Sequence, residues 1–151
     1  MKDGEPFGPQ GTPELQFEHF VPLRHAAEAL ERVYLMSRTW KGILYSEVRA
    51  VRGGEQLLSP YASDDEGFDT LAIGIGMHAS LGEKRVLEAV SIIDEGLADL
   101  KAKPHWGKLI NMTRGRAEEL YGEKYRKFVS YVESVDPNRK FSNKWLDDIF
   151  Q

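Results

Sequence analysis

The stretch from Thr70 to His78 constrains the fold of this chain most. Leu71, Ile73, Ile75 and Met77 fall on one side, and Thr70, Ala72, Gly74, Gly76 and His78 on the other. A period of two is that of a β-strand, and a side so uniformly apolar needs a covering layer. Residues 43–51 alternate in the same way, with Ile43, Tyr45, Glu47, Arg49 and Val51 opposite Leu44, Ser46, Val48 and Ala50. Between the two lies a connection rich in turn formers, residues 53–69 (GGEQLLSPYASDDEGFD).

The other segments supply the cover. Leu15, Phe17 and His19 alternate with Gln16, Glu18 and Phe20 as a short strand. Pro22 can open a helix, because the first turn leaves its missing N–H without consequence. Ala26, Ala27, Leu30, Val33 and Tyr34 then recur at helical spacing and predict a helix over 22–38, with Gly42 ending that region. Residues 83–102 form an amphipathic helix that buries Val86, Leu87, Val90, Ile93, Leu97 and Leu100 and is stopped by Pro104. Lys103 to Ile110 reads as extended or looped. Thr113 caps a helix to about Tyr121, a further helix over 123–134 turns Tyr125, Phe128, Tyr131 and Val132 inward, and Ser142 caps a last short one carrying Trp145, Leu146 and Ile149. The expected fold is α+β: an antiparallel sheet covered by helices on one face, with a C-terminal helical tail after residue 110.

Composition narrows the function. The 151 residues suffice to bury roughly two thirds of the chain's surface. The net charge of −4 is mixed in sign along the chain, so the basic stripe that nucleic acid requires is missing. With no cysteine, disulfides and thiolate metal sites are excluded. His19, His25, His78 and His105 lack metal-site spacing, so no metal is expected. Residues 1–12 read as a flexible leader without a signal-type apolar run, and no stretch has the roughly 20 apolar residues of a membrane span. A cytoplasmic location is the expectation.

Three places carry candidate chemistry. Glu47 and Arg49 are two apart on one strand, so they point the same way, roughly 6–7 Å apart. A carboxylate that accepts from hydroxyls beside a guanidinium that donates suits a polyhydroxylated ligand. Gly74 and Gly76 on the neighbouring strand would leave it room. The same spacing equally describes an exposed ion pair worth about 0–1 kcal/mol. Gly74-Ile75-Gly76-Met77-His78-Ala79 matches a dinucleotide-loop pattern, but the alternation runs through it and the next helix begins too late. Lys103-Pro104-His105-Trp106-Gly107-Lys108 packs proton donors around a broad indole. Taken alone, it is as well explained by a buried Trp and surface lysines after a helix stop.

Five segments in order resemble one family. Pro104 to Lys108 (PHWGK) is similar to the signature of the sugar-1,4-lactone oxidases and alditol (xylitol) oxidases, a branch of the vanillyl-alcohol-oxidase-type flavoproteins. Glu14 to Pro22 (ELQFEHFVP) resembles the strand-to-helix entry of their cap domain, Ser46 to Arg49 (SEVR) their active-site strand, and Leu57 to Pro60 (LLSP) the segment after it. Asp136 to Asn143 (DPNRKFSN) resembles their C-terminal ending.

The resemblance implies a substrate-side portion of an FAD-dependent oxidoreductase. Residues 13–110 would be part of a cap domain, and 111–151 a helical segment packed on an FAD-binding domain. It implies that Glu47 binds hydroxyls of a polyol or sugar lactone, and that Arg49 and Lys108 orient the reacting oxygen and stabilise its charge. His105 and Trp106, with Lys108, would line the flavin. Gly76 stands where alditol oxidases place a substrate-contacting threonine. FAD itself would be held mainly by a region outside this chain, with an FAD-binding domain as partner in trans. A non-catalytic assembly module, or an orphan fragment of that fold, is the alternative. Self-association would then run through the aromatic tail: Tyr121, Tyr125, Phe128, Tyr131, Phe141, Trp145 and Phe150.

Overall fold

The computed structural model describes residues 12–61 and 69–151. The leader expected over 1–12 thus lies outside the described residues except for Thr12, as does most of the second half of the 53–69 connection. Within these residues four strands pair antiparallel: β1 (Glu14–Pro22), β2 (Ile43–Val51), β3 (Thr70–His78) and β4 (Lys103–Pro104), in the order β2-β3-β1-β4. Among the described residues, five α-helices accompany them: α1 (Ala26–Ser37), α2 (Glu83–Gly96), α3 (Arg114–Tyr121), α4 (Glu123–Val135) and α5 (Lys144–Phe150). The expected α+β class, one-sided cover and helical tail are all present.

α1 and α2 lie on one face of the sheet. Phe17 and Val21 of β1 and Leu71, Ile73, Ile75 and Met77 of β3 pack there against Ala29 and Val33 of α1 and Val86, Ala89, Val90 and Ile93 of α2. His19 shares this face, and its Nε2 meets the Asp94 carboxylate of α2 at 2.9 Å, tying sheet to helix. A second cluster joins the tail helices through Met112, Ala117, Tyr121, Tyr125 and Ile149. Each cluster excludes water from apolar surface, the main favourable term in folding.

Several boundaries differ from expectation for local reasons. Pro22 is the last residue of β1 rather than the start of a helix; a 3₁₀ turn, Leu23–His25, precedes α1. In α1 the buried stripe is Ala29 and Val33, while Leu30 and Tyr34 are exposed. α2 ends at Gly96, before Pro104, where the Met36 side chain of α1 packs over the glycine: a Cβ there would lie 2.3 Å from the Met36 sulfur. A 3₁₀ turn and left-handed Lys101 then reverse the chain into β4. Tyr131 of α4 faces outward. Asn143, not Ser142, caps α5, its Oδ1 accepting from the Leu146 N–H at 2.9 Å. Thr113 caps α3 as expected, accepting from the Arg116 N–H at 3.2 Å.

Ile43 also changes sides. A bulge between Ile43 and Tyr45 shifts the register of β2, so Ile43 pairs with Met77 and packs on the helix-covered core. An extra residue in one strand flips everything before it. Tyr45, Glu47, Arg49 and Val51 keep the opposite face. Among the described residues, no helix is long and apolar enough to cross a membrane, and no His, Asp and Glu group is arranged to hold a metal.

Candidate active site

The site lies on the face of the sheet away from α1 and α2. Register across β2, β3 and β1 puts Glu47, Gly74 and Glu18 in one row and Arg49, Ala72 and Phe20 in the next. β3 therefore contributes only Ala72, Gly74 and Gly76 to the middle of this face. Side chains from the strands on either side can reach across it. Gly74 and Gly76 are regular members of β3, as the alternation required, and form no dinucleotide loop.

Glu18 is the centre of the arrangement, and sequence reasoning passed over it. Its side chain is only 2% exposed. Arg49 crosses β3 to donate from Nη2 to Glu18 Oε1 at 2.5 Å, and Lys108 Nζ lies 2.8 Å from the other oxygen, Oε2. A charged residue between Gln16 and Phe20, on the polar side of a central strand, was the available signal. It could not show which cations would arrive, because both come from distant segments.

Lys108 reaches Glu18 through an excursion from the edge of the sheet. After β4, the His105 N–H donates to the Glu18 carbonyl at 2.9 Å; the Leu109 N–H then donates to the Gln16 carbonyl, also at 2.9 Å. The chain spends four residues where β1 spends two, and the intervening loop closes with Lys108 N–H to the His105 carbonyl at 3.3 Å. Lys108 returns over Glu18, and Trp106 swings the other way.

Glu47 completes the group. Arg49 Nε lies 3.3 Å from Glu47 Oε1, and both side chains are about half exposed. Glu18 and Glu47 against Arg49 and Lys108 balance formally. Burial pushes the Glu18 carboxyl up, but the hydrogen bonds and charges of Lys108 and Arg49 outweigh it and hold Glu18 below the ordinary carboxylate range. Its hydrogen bond to Glu18 raises the Arg49 guanidinium above its ordinary value. A carboxylate held down in this way is a poor base. What the group can do is donate from Arg49 and Lys108, accept at exposed Glu47, and stabilise negative charge on a bound oxygen.

The remaining predicted residues lie around this centre. His105 stacks on Phe20 with centroids 6.0 Å apart, and its Nδ1 accepts from the Gly107 N–H at 2.9 Å. A neutral ring so held carries its proton on Nε2. Trp106 turns into the second cluster: its indole N–H donates to the Leu58 carbonyl at 2.8 Å, and its ring stacks on Tyr121 at 5.7 Å. It therefore pins the LLSP segment against the tail helices. Gly76 leaves space, but the ring of Tyr45 fills it: a Cβ there would lie 2.3 Å from Tyr45 Cε1.

The model of the D-arabinono-1,4-lactone oxidase family matches residues 12–149. The chain belongs to that family. Alditol oxidase of Streptomyces sp. (strain IKD472 / FERM P-14339) is 31% identical over 144 residues, which is 95% of this chain and 33% of that protein. L-gulono-1,4-lactone dehydrogenase of Mycobacterium tuberculosis is 29% identical over 86% of this chain and 29% of its own length. L-gulonolactone oxidase of Mus musculus is 32% identical over 110 residues, 69% of this chain and 23% of that protein. The chain thus spans about a third or less of the relatives it matches. The family is one of FAD-linked oxidoreductases.

Proposed function

We propose that this chain forms the substrate side of an FAD-dependent oxidoreductase acting on CH–OH groups of alditols or aldono-1,4-lactones. The observation that carries the reading is the meeting of Arg49 and Lys108 on buried Glu18, beside exposed Glu47. Glu47 would accept hydrogen bonds from substrate hydroxyls. Arg49 and Lys108 each keep donors beyond the one directed at Glu18, and these would hold the reacting oxygen and stabilise charge that develops on it. Glu18 fixes the direction of both cations before the substrate arrives.

The described residues suit one part of FAD. His105 Nε2–H and Lys108 offer donors to a flavin ring, with Trp106 behind them. Gly74 and Gly76 are paired within β3 and so form no turn that would cradle a pyrophosphate. FAD would then be held mainly by a separate FAD-binding region. When bound, it would accept the hydride from the carbon that carries the hydroxyl. Residues 13–110 serve as part of a cap domain in this reading, and 111–151 pack on the FAD-binding region. Phe141 at 80% exposure, together with Tyr131 and Val135, supports such a contact, as does an apolar groove of about 550 Å³ between α4 and α5.

The test is reconstitution. The chain is mixed with the FAD-binding region of an alditol oxidase, and flavin reduction by xylitol is followed without oxygen. The wild-type pair is expected to reduce its flavin, and Lys108→Met to slow reduction by about 100-fold or more. No reduction in the wild-type pair overturns the reading. The same apolar tail surface favours a second reading, an assembly module, which predicts a stable self-associated species by size exclusion and no flavin reduction.

A further inference from the structure

We propose that Tyr45, lying across Gly76 and bonded to Glu14, forms the far wall of the substrate site, where it takes hydroxyls remote from the oxidised carbon and sets the length of polyol the site accepts. This rests on the reading that Glu47, Arg49 and Lys108 hold the reacting end. The row Tyr45, Gly76 and Gln16 adjoins the row Glu47, Gly74 and Glu18 on the same face. One such step is roughly 6–7 Å along a strand, and Glu14 stands a second step beyond Glu18's row. An acyclic polyol with its reacting end at Lys108 and Arg49 would run along β3 towards Tyr45.

The two glycines of β3 are not equivalent. A Cβ on Gly74 would meet nothing nearer than the Glu47 carbonyl at 3.8 Å. On Gly76 it would lie 2.3 Å from Tyr45 Cε1 and 2.6 Å from Cζ. Only Gly76 is required to be glycine, and what requires it is the ring. The ring thus presents an apolar face beside a polar rim, a surface that suits the C–H side of a sugar chain.

The polar rim is incompletely satisfied. The Tyr45 hydroxyl donates to Glu14 Oε1 at 3.2 Å, and the Gln16 side-chain amide donates to the same oxygen. The other oxygen, Oε2, is buried and has no hydrogen-bond partner among the described residues. A desolvated carboxylate oxygen without a donor is costly, and a ligand hydroxyl would remedy that. Burial, and then the bond to Glu14, raise the Tyr45 phenol above its ordinary value, so it stays protonated at neutral pH. A purely structural role, an aromatic ring covering a strand glycine, would leave ligand length without effect.

The experiment uses the 151-residue chain, followed by backbone-amide NMR during titration with xylitol or with glycerol. Xylitol is expected to shift Glu47 and Arg49 together with Tyr45, Gly76 and Glu14; glycerol should shift only the first two. Tyr45→Phe and Glu14→Gln should each weaken xylitol by about tenfold, the scale of a lost charge-assisted bond, and leave glycerol within about twofold. Equal losses for both ligands, or no loss for either, overturn the proposal. Xylitol shifts confined to Glu47 and Arg49 overturn it while sparing the reading beneath it. The absence of any xylitol shift overturns both. The wild-type shift map decides the matter even if a variant fails to fold.

Discussion

Replacing Glu18 by glutamine removes one negative charge from between two cations and keeps the shape of the side chain. The amide leaves one oxygen to accept and turns two N–H donors towards Arg49 and Lys108, which are donors themselves. Charge-assisted hydrogen bonds contribute about 1.5–3 kcal/mol where they are buried. Glu18 is 2% exposed, but Arg49 is 50% and Lys108 22%, so both cations can recover water. Discounting for that recovery, the loss is about 2 kcal/mol. At this chain length such a loss lowers Tm by about 4–8 °C. The pH dependence follows from the folded-state carboxyl lying below its unfolded value. Its stabilisation is complete above the unfolded value, about 4.3, and disappears as pH falls through the folded one. Urea unfolding of wild type and Glu18→Gln at neutral pH and at a series of acid pH values measures both effects. The deficit should be constant near neutrality and shrink below about pH 4.3. A variant as stable as wild type at neutral pH, or a deficit that persists unchanged into acid, would refute the reasoning.

Three further outcomes follow from the packing. Gly76→Ala should destabilise by about 1–3 kcal/mol through its clash with Tyr45, and Tyr45→Ala in the same chain should recover part of that loss, which a double-mutant cycle in urea measures. Trp106→Ala should cost about 3 kcal/mol and raise amide exchange both in 57–60 and in α3, because one indole ties them together; exchange raised in only one of them would contradict that link. Asn143→Ala should cost about 1 kcal/mol of stability and fray α5, whereas a matching loss is expected at Thr113→Ala in α3.

Local pattern was sufficient for the layers of the fold. The alternation of 70–78 and the helical period of 83–100 each report which side meets the core, because burying one face of a regular element leaves a periodic trace. Boundaries were less legible where tertiary contact overrode local preference. α2 ends at Gly96, where Met36 of another helix occupies the space a Cβ would take, well before the Pro104 that marks a stop along the chain. The bulge in β2 moved Ile43 to the core face, and no residue-type pattern signals an inserted residue of that kind.

The candidate site divides in the same way. Glu47 and Arg49 could be placed together from spacing alone, and Lys108 could be singled out within a dense motif, since those are properties of neighbours in the chain. Glu18 could not. Its importance arises from Arg49 arriving across β3 and Lys108 returning from the loop after β4, 31 and 90 residues away in sequence. Gly76 likewise reads as open space until the ring of Tyr45 is seen to lie on it. The sequence by itself determined the α+β class, the covered face of the sheet and the candidate residues, because periodicity and short-range spacing are written along the chain. Only the tertiary structure decided that a buried carboxylate aims two distant cations at one place, since strand order and register bring together residues whose separation in sequence carries no trace of their meeting.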